Sequence, residues 1–70
     1  MKRSAVVQKI RRAARAKGKT WVFIRQGAQH ELWMCGSVSV AIPRHDELKL
    51  GLVLGIFRRL ERELGDDWWK

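Results

Sequence analysis

The chain has 70 residues, of which 15 are lysine or arginine and 7 are acidic, so its formal net charge is +8. This length predicts one domain, residues 1–70, with a small core, and no signal peptide or membrane span is recognisable, which favours a cytoplasmic protein that does not act at a membrane. One cysteine excludes an internal disulfide, and one cysteine with two histidines predicts no metal site; we expect no cofactor.

The first predicted element is an amphipathic helix from Ser4 to about Lys17. Its apolar residues recur at helical spacing and form one side, while three arginines fall on the opposite side. Ser4 is the expected N-cap, and Gly18 is the expected stop. The apolar side consists of Val6, Val7, Ile10, Ala13 and Ala14.

Three strands are predicted next. Trp21–Arg25 is aromatic and β-branched, His30–Cys35 follows after a short glycine-containing connection, and Val38–Ile42 alternates between apolar and small or polar residues. Gly36 and Ser37 suit a two-residue hairpin turn, and Pro43 ends the third strand because proline lacks the N–H that a sheet requires.

A second amphipathic helix is predicted from Gly51 to Leu64, and Gly65 is its expected stop. The order α-β-β-β-α with two apolar helix sides predicts an α+β fold. A three-stranded antiparallel sheet would carry both helices on one face, as in a double-stranded-RNA-binding domain. We expect the tail containing Trp68 and Trp69 to fold back onto the edge of the domain; if exposed, the two indoles would form a partner-binding or base-stacking surface.

The basic residues are concentrated in the first third of the chain. Residues 1–25 contain nine lysines and arginines and no acid, whereas residues 46–70 contain five bases and six acids. A one-sided basic segment predicts a polyanionic partner, and a nucleic acid fits better than a membrane because the apolar side of the helix lacks large residues. The predicted RNA-binding residues are Lys9, Arg11, Arg12, Arg15, Lys17 and Lys19.

Three segments together resemble the HicA toxin family. In residues 25–33, RQGAQHELW, an arginine ends a strand, a small-residue loop leads to a histidine, and an aromatic residue follows three positions later. Residues 40–45, VAIPRH, resemble the third strand of that family with its terminal proline, and Glu47-Leu48-Lys49 resembles the lead into its last helix. Ala28 and Gln29 stand where the family often has Gly-Ser.

The resemblance implies a function. HicA proteins are mRNA interferases of type II toxin-antitoxin pairs, with a fold like the double-stranded-RNA-binding domain and a histidine needed for cleavage. Their partner is a HicB antitoxin that covers the active surface. Carried over by position, His30 is the catalytic residue, mRNA is the substrate and a HicB-type antitoxin is the protein partner.

A histidine can promote RNA cleavage without a metal, because imidazole exchanges protons near neutral pH and can act as the base that activates a 2′-hydroxyl. A guanidinium can stabilise the charge added at phosphorus. Arg25 is the first supporting candidate, followed by Arg44 and His45. If Trp33 faces the helices, His30 faces the open side of the sheet, but the sequence also allows the reverse.

Two other functions remain open at this point. The chain could be a non-catalytic module that binds double-stranded RNA through charge and shape. It could also be a structural or regulatory protein whose basic surface docks on an acidic protein, in which case RNA binding would be weak even at low salt.

Overall fold

In the computed structural model, which describes residues 1–70, the elements follow the predicted order α-β-β-β-α. Helix α1 spans Arg3–Ala16, and strands β1, β2 and β3 span Trp21–Gln26, His30–Cys35 and Val38–Pro43. The last helical region is divided into α2, Leu50–Arg59, and α3, Glu61–Leu64. None of these helices is long and apolar enough to cross a membrane.

Helix α1 begins one residue before the predicted start. Lys2, and not Ser4, is the N-cap, and it makes no side-chain capping bond. Its backbone is held from outside the helix instead, because Lys2 forms an isolated bridge with Glu47 and the Arg3 N–H donates to the Asp46 carbonyl at 2.7 Å. The predicted stop is confirmed, since Gly18 adopts φ = 67°, a conformation that favours glycine.

The strands form one antiparallel sheet in the order β1-β2-β3. Gly36 and Ser37 connect β2 to β3 as predicted, and Gly36 has φ = 57°. The Glu63 carboxylate lies beside this turn and accepts the Ser37 hydroxyl at 3.3 Å, which ties the hairpin to α3. A Cβ atom at position 36 would stand 1.7 Å from the nearer Glu63 oxygen. The positive φ therefore favours glycine at this position, and a larger residue would displace the Glu63 carboxylate from the turn.

The prediction of one continuous helix from Gly51 to Leu64 is wrong, because the helix is interrupted at Leu60. The Leu60 N–H donates to the Phe57 carbonyl, three residues back, at 3.1 Å. The backbone therefore forms one tighter turn of 3₁₀ type before α3 begins. Leu60, at the break, and Leu64, at the end of α3, are both buried in the core.

Both helices cover the same face of the sheet, as predicted. Fourteen buried apolar side chains form a single cluster, contributed by α1, β2, β3, the link before α2, and α2 with the segment through Leu64. On β2 the buried Cys35 and the partly buried Trp33 face this cluster. Since neighbouring strand residues point to opposite sides, His30, Leu32 and Met34 face the open side.

The C-terminal tail folds back onto the helices, as predicted. Trp68 and Trp69 are half-buried and pack against the core cluster. The Trp68 indole N–H donates to the Phe57 carbonyl at 2.8 Å, and its ring meets the Phe57 ring edge-on with centroids 4.8 Å apart. The tail is therefore attached by a hydrogen bond and by aromatic packing.

Candidate functional site

His30 is the first residue of β2 and is exposed at one end of the sheet, opposite Pro43. The turn that leads into it is closed by the Gly27 N–H, which donates to the His30 carbonyl at 2.7 Å. A Cβ atom at Gly27 would lie 3.2 Å from that carbonyl oxygen, so a larger residue would require the turn to shift by a few tenths of an ångström. The short loop that the sequence placed before the histidine thus fixes the backbone of His30.

A shallow pocket of about 160 Å³ adjoins His30 on the open face of the sheet. Arg25 lines it because β1 is irregular: Phe23 pairs with Trp33, but Arg25 pairs with Leu32, and Ile24 forms a bulge between them. Directly opposed residues share a face, so Arg25 lies on the side of Leu32 and His30. The lining residues are Arg25, Gly27, His30, Glu31, Leu32 and Ala41.

Arg44 and His45, the other two predicted supporting residues, do not line this pocket. The Arg44 N–H donates to the Gln29 carbonyl at 3.1 Å, which holds the chain beside the loop before His30. With the Gln26 amide oxygen turned toward it, the Arg44 guanidinium donates to that oxygen at 3.0 Å. Gln26 lies opposite Glu31 on the helix-covered side. His45 is exposed in the segment that follows β3.

Glu31, next to His30, points the other way and joins the sheet to α1. It accepts the Trp33 indole N–H at 3.0 Å and forms an ion pair with Arg3, whose side chain also donates to the Pro43 carbonyl at 2.8 Å. The Trp33 hydrogen bond and the Arg3 guanidinium lower the pKa of the Glu31 carboxyl. Sequence reasoning missed this contact, since nothing local marks a pair separated by 28 residues.

The basic residues of α1 and of the turn after it divide into two groups on either side of the buried stripe of the helix. One group lines a pocket of about 270 Å³ beside Trp21, and the other lines a cleft of about 540 Å³ beside the C-terminal tryptophans. Lys17 lies near Gly65 and lines neither. The first group is Arg11, Arg15 and Lys19, and the second is Lys9 and Arg12.

Most of these cations have no acidic partner. The protein has four ion pairs, and of the six predicted RNA-binding residues only Lys19 takes part in one, at 3.7 Å from Glu63. The Trp21 indole N–H, which also borders the first pocket, has no hydrogen-bond partner. Unpaired guanidinium and ammonium groups on a helix surface are free to neutralise an external anion.

An apolar groove of about 570 Å³ runs between β3 and α2. Leu32 and Ala41 line both this groove and the His30 pocket, so the two are adjacent. Leu52 borders the groove and remains 44% exposed, and Arg59 donates to the Ser39 carbonyl at its rim at 2.6 Å. Sequence reasoning missed the groove because it forms only when α2 lies along β3.

No family model, no curated protein and no solved structure matches this chain.

The arrangement brings one imidazole and one guanidinium together on an open face. No group of three His, Cys, Asp or Glu side chains is placed to hold a metal ion. The candidate site therefore consists of His30 with Arg25, bordered by an apolar groove. The basic residues of α1 lie on the helix-covered side of the sheet, away from this site.

Proposed function

We propose that this protein is a metal-independent endoribonuclease that cleaves mRNA, acting as the toxin of a type II toxin-antitoxin pair. The observation that carries the proposal is the exposed His30 beside Arg25 in a pocket on the open sheet face. The resemblance of residues 25–33 to the HicA motif supports the same assignment. His30 acts on the RNA phosphodiester, and Arg25 stabilises the charge that the reaction creates.

The reaction proceeds by internal attack. The His30 imidazole accepts the proton of a 2′-hydroxyl, and the freed oxygen forms a bond to the adjacent phosphorus. The bond from phosphorus to the 5′-oxygen then breaks and leaves a 2′,3′-cyclic phosphate. The 5′-oxygen takes a proton from water, and the hydroxide that remains takes the proton back from His30. The Arg25 guanidinium offsets the extra negative charge on the phosphorus oxygens. General acid–base assistance of this kind contributes roughly 10²–10⁴-fold, which predicts a slow nuclease.

The charge distribution supports RNA as the substrate. Five of the six predicted RNA-binding residues have no acidic partner, and a net charge of +8 attracts a polyanion. Each phosphate that these cations neutralise adds about 0.7–0.9 to the slope of log affinity against log salt concentration. RNA binding that weakens steeply with salt is therefore expected.

A HicB-type antitoxin is the proposed protein partner. The open sheet face and the adjoining groove expose apolar side chains, including Val22 and Leu52, which are 45% and 44% exposed. Exposed apolar patches of this kind are typical of protein interaction surfaces. A partner seated there would cover His30 and block access of RNA to it.

The alternative is a non-catalytic RNA-binding module. It is favoured by one observation: His30 is the only histidine in its pocket, and Glu31 turns its carboxylate toward α1, so no second acid or base stands beside the imidazole. Such a module would bind RNA through the cations of α1 and would not cleave it.

Cleavage of an end-labelled single-stranded mRNA fragment in EDTA separates the two functions. The parent should cut, and His30→Ala should bind the same fragment with unchanged affinity and not cut. His45→Ala is the matched comparison, since it removes the other histidine, which lies outside the pocket, and it should retain cleavage. If all three proteins bind and none cuts, the protein is a binding module and the catalytic assignment of His30 is wrong.

A further inference from the structure

We infer that the cleft between α1 and the C-terminal tryptophans, here called the tail cleft, binds one unpaired nucleotide of an RNA strand. This inference rests on the proposed RNA-binding function and adds a preference for single strands at a second location. The tail cleft has a volume of about 540 Å³, within the range of small-molecule sites. Its principal lining residues are Ala5, Lys9, Arg12, Ala13, Trp68 and Trp69.

The aromatic wall of the tail cleft is held in place before any ligand arrives. Trp68 is fixed by its hydrogen bond to the Phe57 carbonyl, and Trp69 packs edge-on against Trp68 with ring centroids 5.9 Å apart. The turn before them is anchored because the Asp67 N–H donates to the Glu61 carboxylate at 2.9 Å. Both indoles are nevertheless only half-buried. A rigid, partly exposed indole loses little entropy when a base stacks on it.

The opposite wall supplies positive charge. Lys9 and Arg12 stand on the same side of α1, three residues apart, and neither forms an ion pair. Lys70 also lines the tail cleft and has one acidic neighbour, Asp67, at 3.6 Å between exposed groups. An exposed pair of this kind is weak. The tail cleft therefore carries a positive charge opposite an aromatic surface.

A nucleotide has the two groups that these walls match. A base stacks on an indole face, and the phosphate attached to it is attracted by lysine and arginine. Alanines at positions 5 and 13 leave the floor of the cleft open between the two walls. Bases of a duplex are stacked on each other and cannot enter, so the tail cleft selects an unpaired nucleotide.

The test measures fluorescence anisotropy of two labelled RNAs, an eight-nucleotide uridine single strand and a perfect duplex. Trp69→Ala should weaken single-strand binding by roughly 5- to 150-fold, the range of one lost base-stacking contact, and should leave duplex binding unchanged. Trp69→Phe should restore most of the single-strand affinity, because a phenyl ring can also stack on a base. A purely structural role of the tail would instead change binding of both RNAs. Circular dichroism should show that both variants are folded.

A second pair of variants tests the charged wall without disturbing the tail. Arg12→Gln should reduce the salt slope of single-strand binding by about 0.7, the contribution of one phosphate contact. Arg58→Gln removes the same charge from the exposed end of α2, outside the tail cleft, and should leave that slope unchanged. Equal slopes for Arg12→Gln and the parent would overturn the inference.

Failure of the inference and failure of the proposed function give different results. If the parent cleaves RNA through His30 and Trp69→Ala binds single strands as the parent does, the tail cleft is not a nucleotide site and the proposed function stands. If the parent binds neither RNA, both are wrong. If a polyglutamate peptide binds at the tail cleft and the uridine strand does not, an acidic protein is the occupant and the inference is overturned.

Discussion

Arg25 and His30 line one pocket on the open face of the sheet because the ladder between β1 and β2 slips by one residue. Trp21 pairs with Cys35 and Phe23 with Trp33, so an unbroken ladder would pair Arg25 with Glu31 on the helix-covered face. The bulge at Ile24 pairs Arg25 with Leu32 instead. A one-residue change of register moves a side chain to the other face, and here it brings a guanidinium beside an imidazole.

Arg25→Ala should reduce the rate of RNA cleavage by roughly 10²-fold, the loss expected when one charge-stabilising donor is removed from a reaction centre. RNA affinity should fall by much less, because the six predicted RNA-binding cations lie outside this pocket, on α1 and the turn after it. Arg44→Ala, outside the pocket, should retain most of the rate. Single-turnover cleavage and anisotropy measured on the same RNA separate the two quantities. Equal rates for Arg25→Ala and the parent would remove Arg25 from the site.

Glu31→Gln should lower the free energy of unfolding by about 1–2 kcal/mol at pH 7, because it weakens charge-assisted bonds to Trp33 and Arg3. Folding lowers the pKa of Glu31 below its ordinary value of 4.5. The contribution of Glu31 to stability is therefore complete above pH 4.5. It is lost as the pH falls through the lower pKa that Glu31 has in the folded protein. Urea unfolding of the parent and the variant across this range should show their difference shrinking with acid.

A matched substitution, Asp66→Asn, serves as the control for that experiment. Asp66 is exposed and takes part in no ion pair. Its removal should change stability by less than about 0.5 kcal/mol at pH 7. A difference between Glu31→Gln and the parent that stays constant down to pH 3 would contradict the role given to the Glu31 carboxylate.

Gly36→Ala should destabilise the protein more than Gly18→Ala does. Both glycines have positive φ, 57° and 67°, and a non-glycine residue there costs about 1–2 kcal/mol. Nothing lies within 4 Å of a Cβ atom at Gly18, whereas at Gly36 the Glu63 carboxylate would have to move and release the Ser37 hydroxyl. Denaturant unfolding of the two variants should rank them in this order. Equal losses would mean that the Glu63 contact contributes nothing.

Cys35 should react with iodoacetamide at least roughly tenfold more slowly in the folded protein than in denaturant. The thiol is fully buried, and burial raises its pKa, with a further contribution from the Glu63 carboxylate. The thiolate is the reactive form, so its fraction at neutral pH is small in the folded state. Mass spectrometry after pulsed alkylation gives the two rates. Rapid labelling of folded protein would show that β2 opens at its Cys35 end.

The helices and strands were predictable because their signals are local. The apolar spacing of Val6 to Ala14, the β-branched run after Trp21 and the Gly36-Ser37 turn are each decided by neighbouring residues. The end of α1 was likewise set by Gly18. The break at Leu60 was not predictable, because the period of apolar residues continues through it and only the core decides how the two leucines pack.

The sequence by itself determined the element order, the surplus of positive charge in the first third of the chain and the presence of a histidine at the start of a strand. Only the tertiary structure decided which face His30 occupies, because both sets of alternate residues on β2 contain apolar members. It also placed Arg25 in the pocket, paired Glu31 with Arg3 and divided the basic residues of α1 between two surfaces. These outcomes depend on strand register and on contacts between distant segments, which no local pattern encodes.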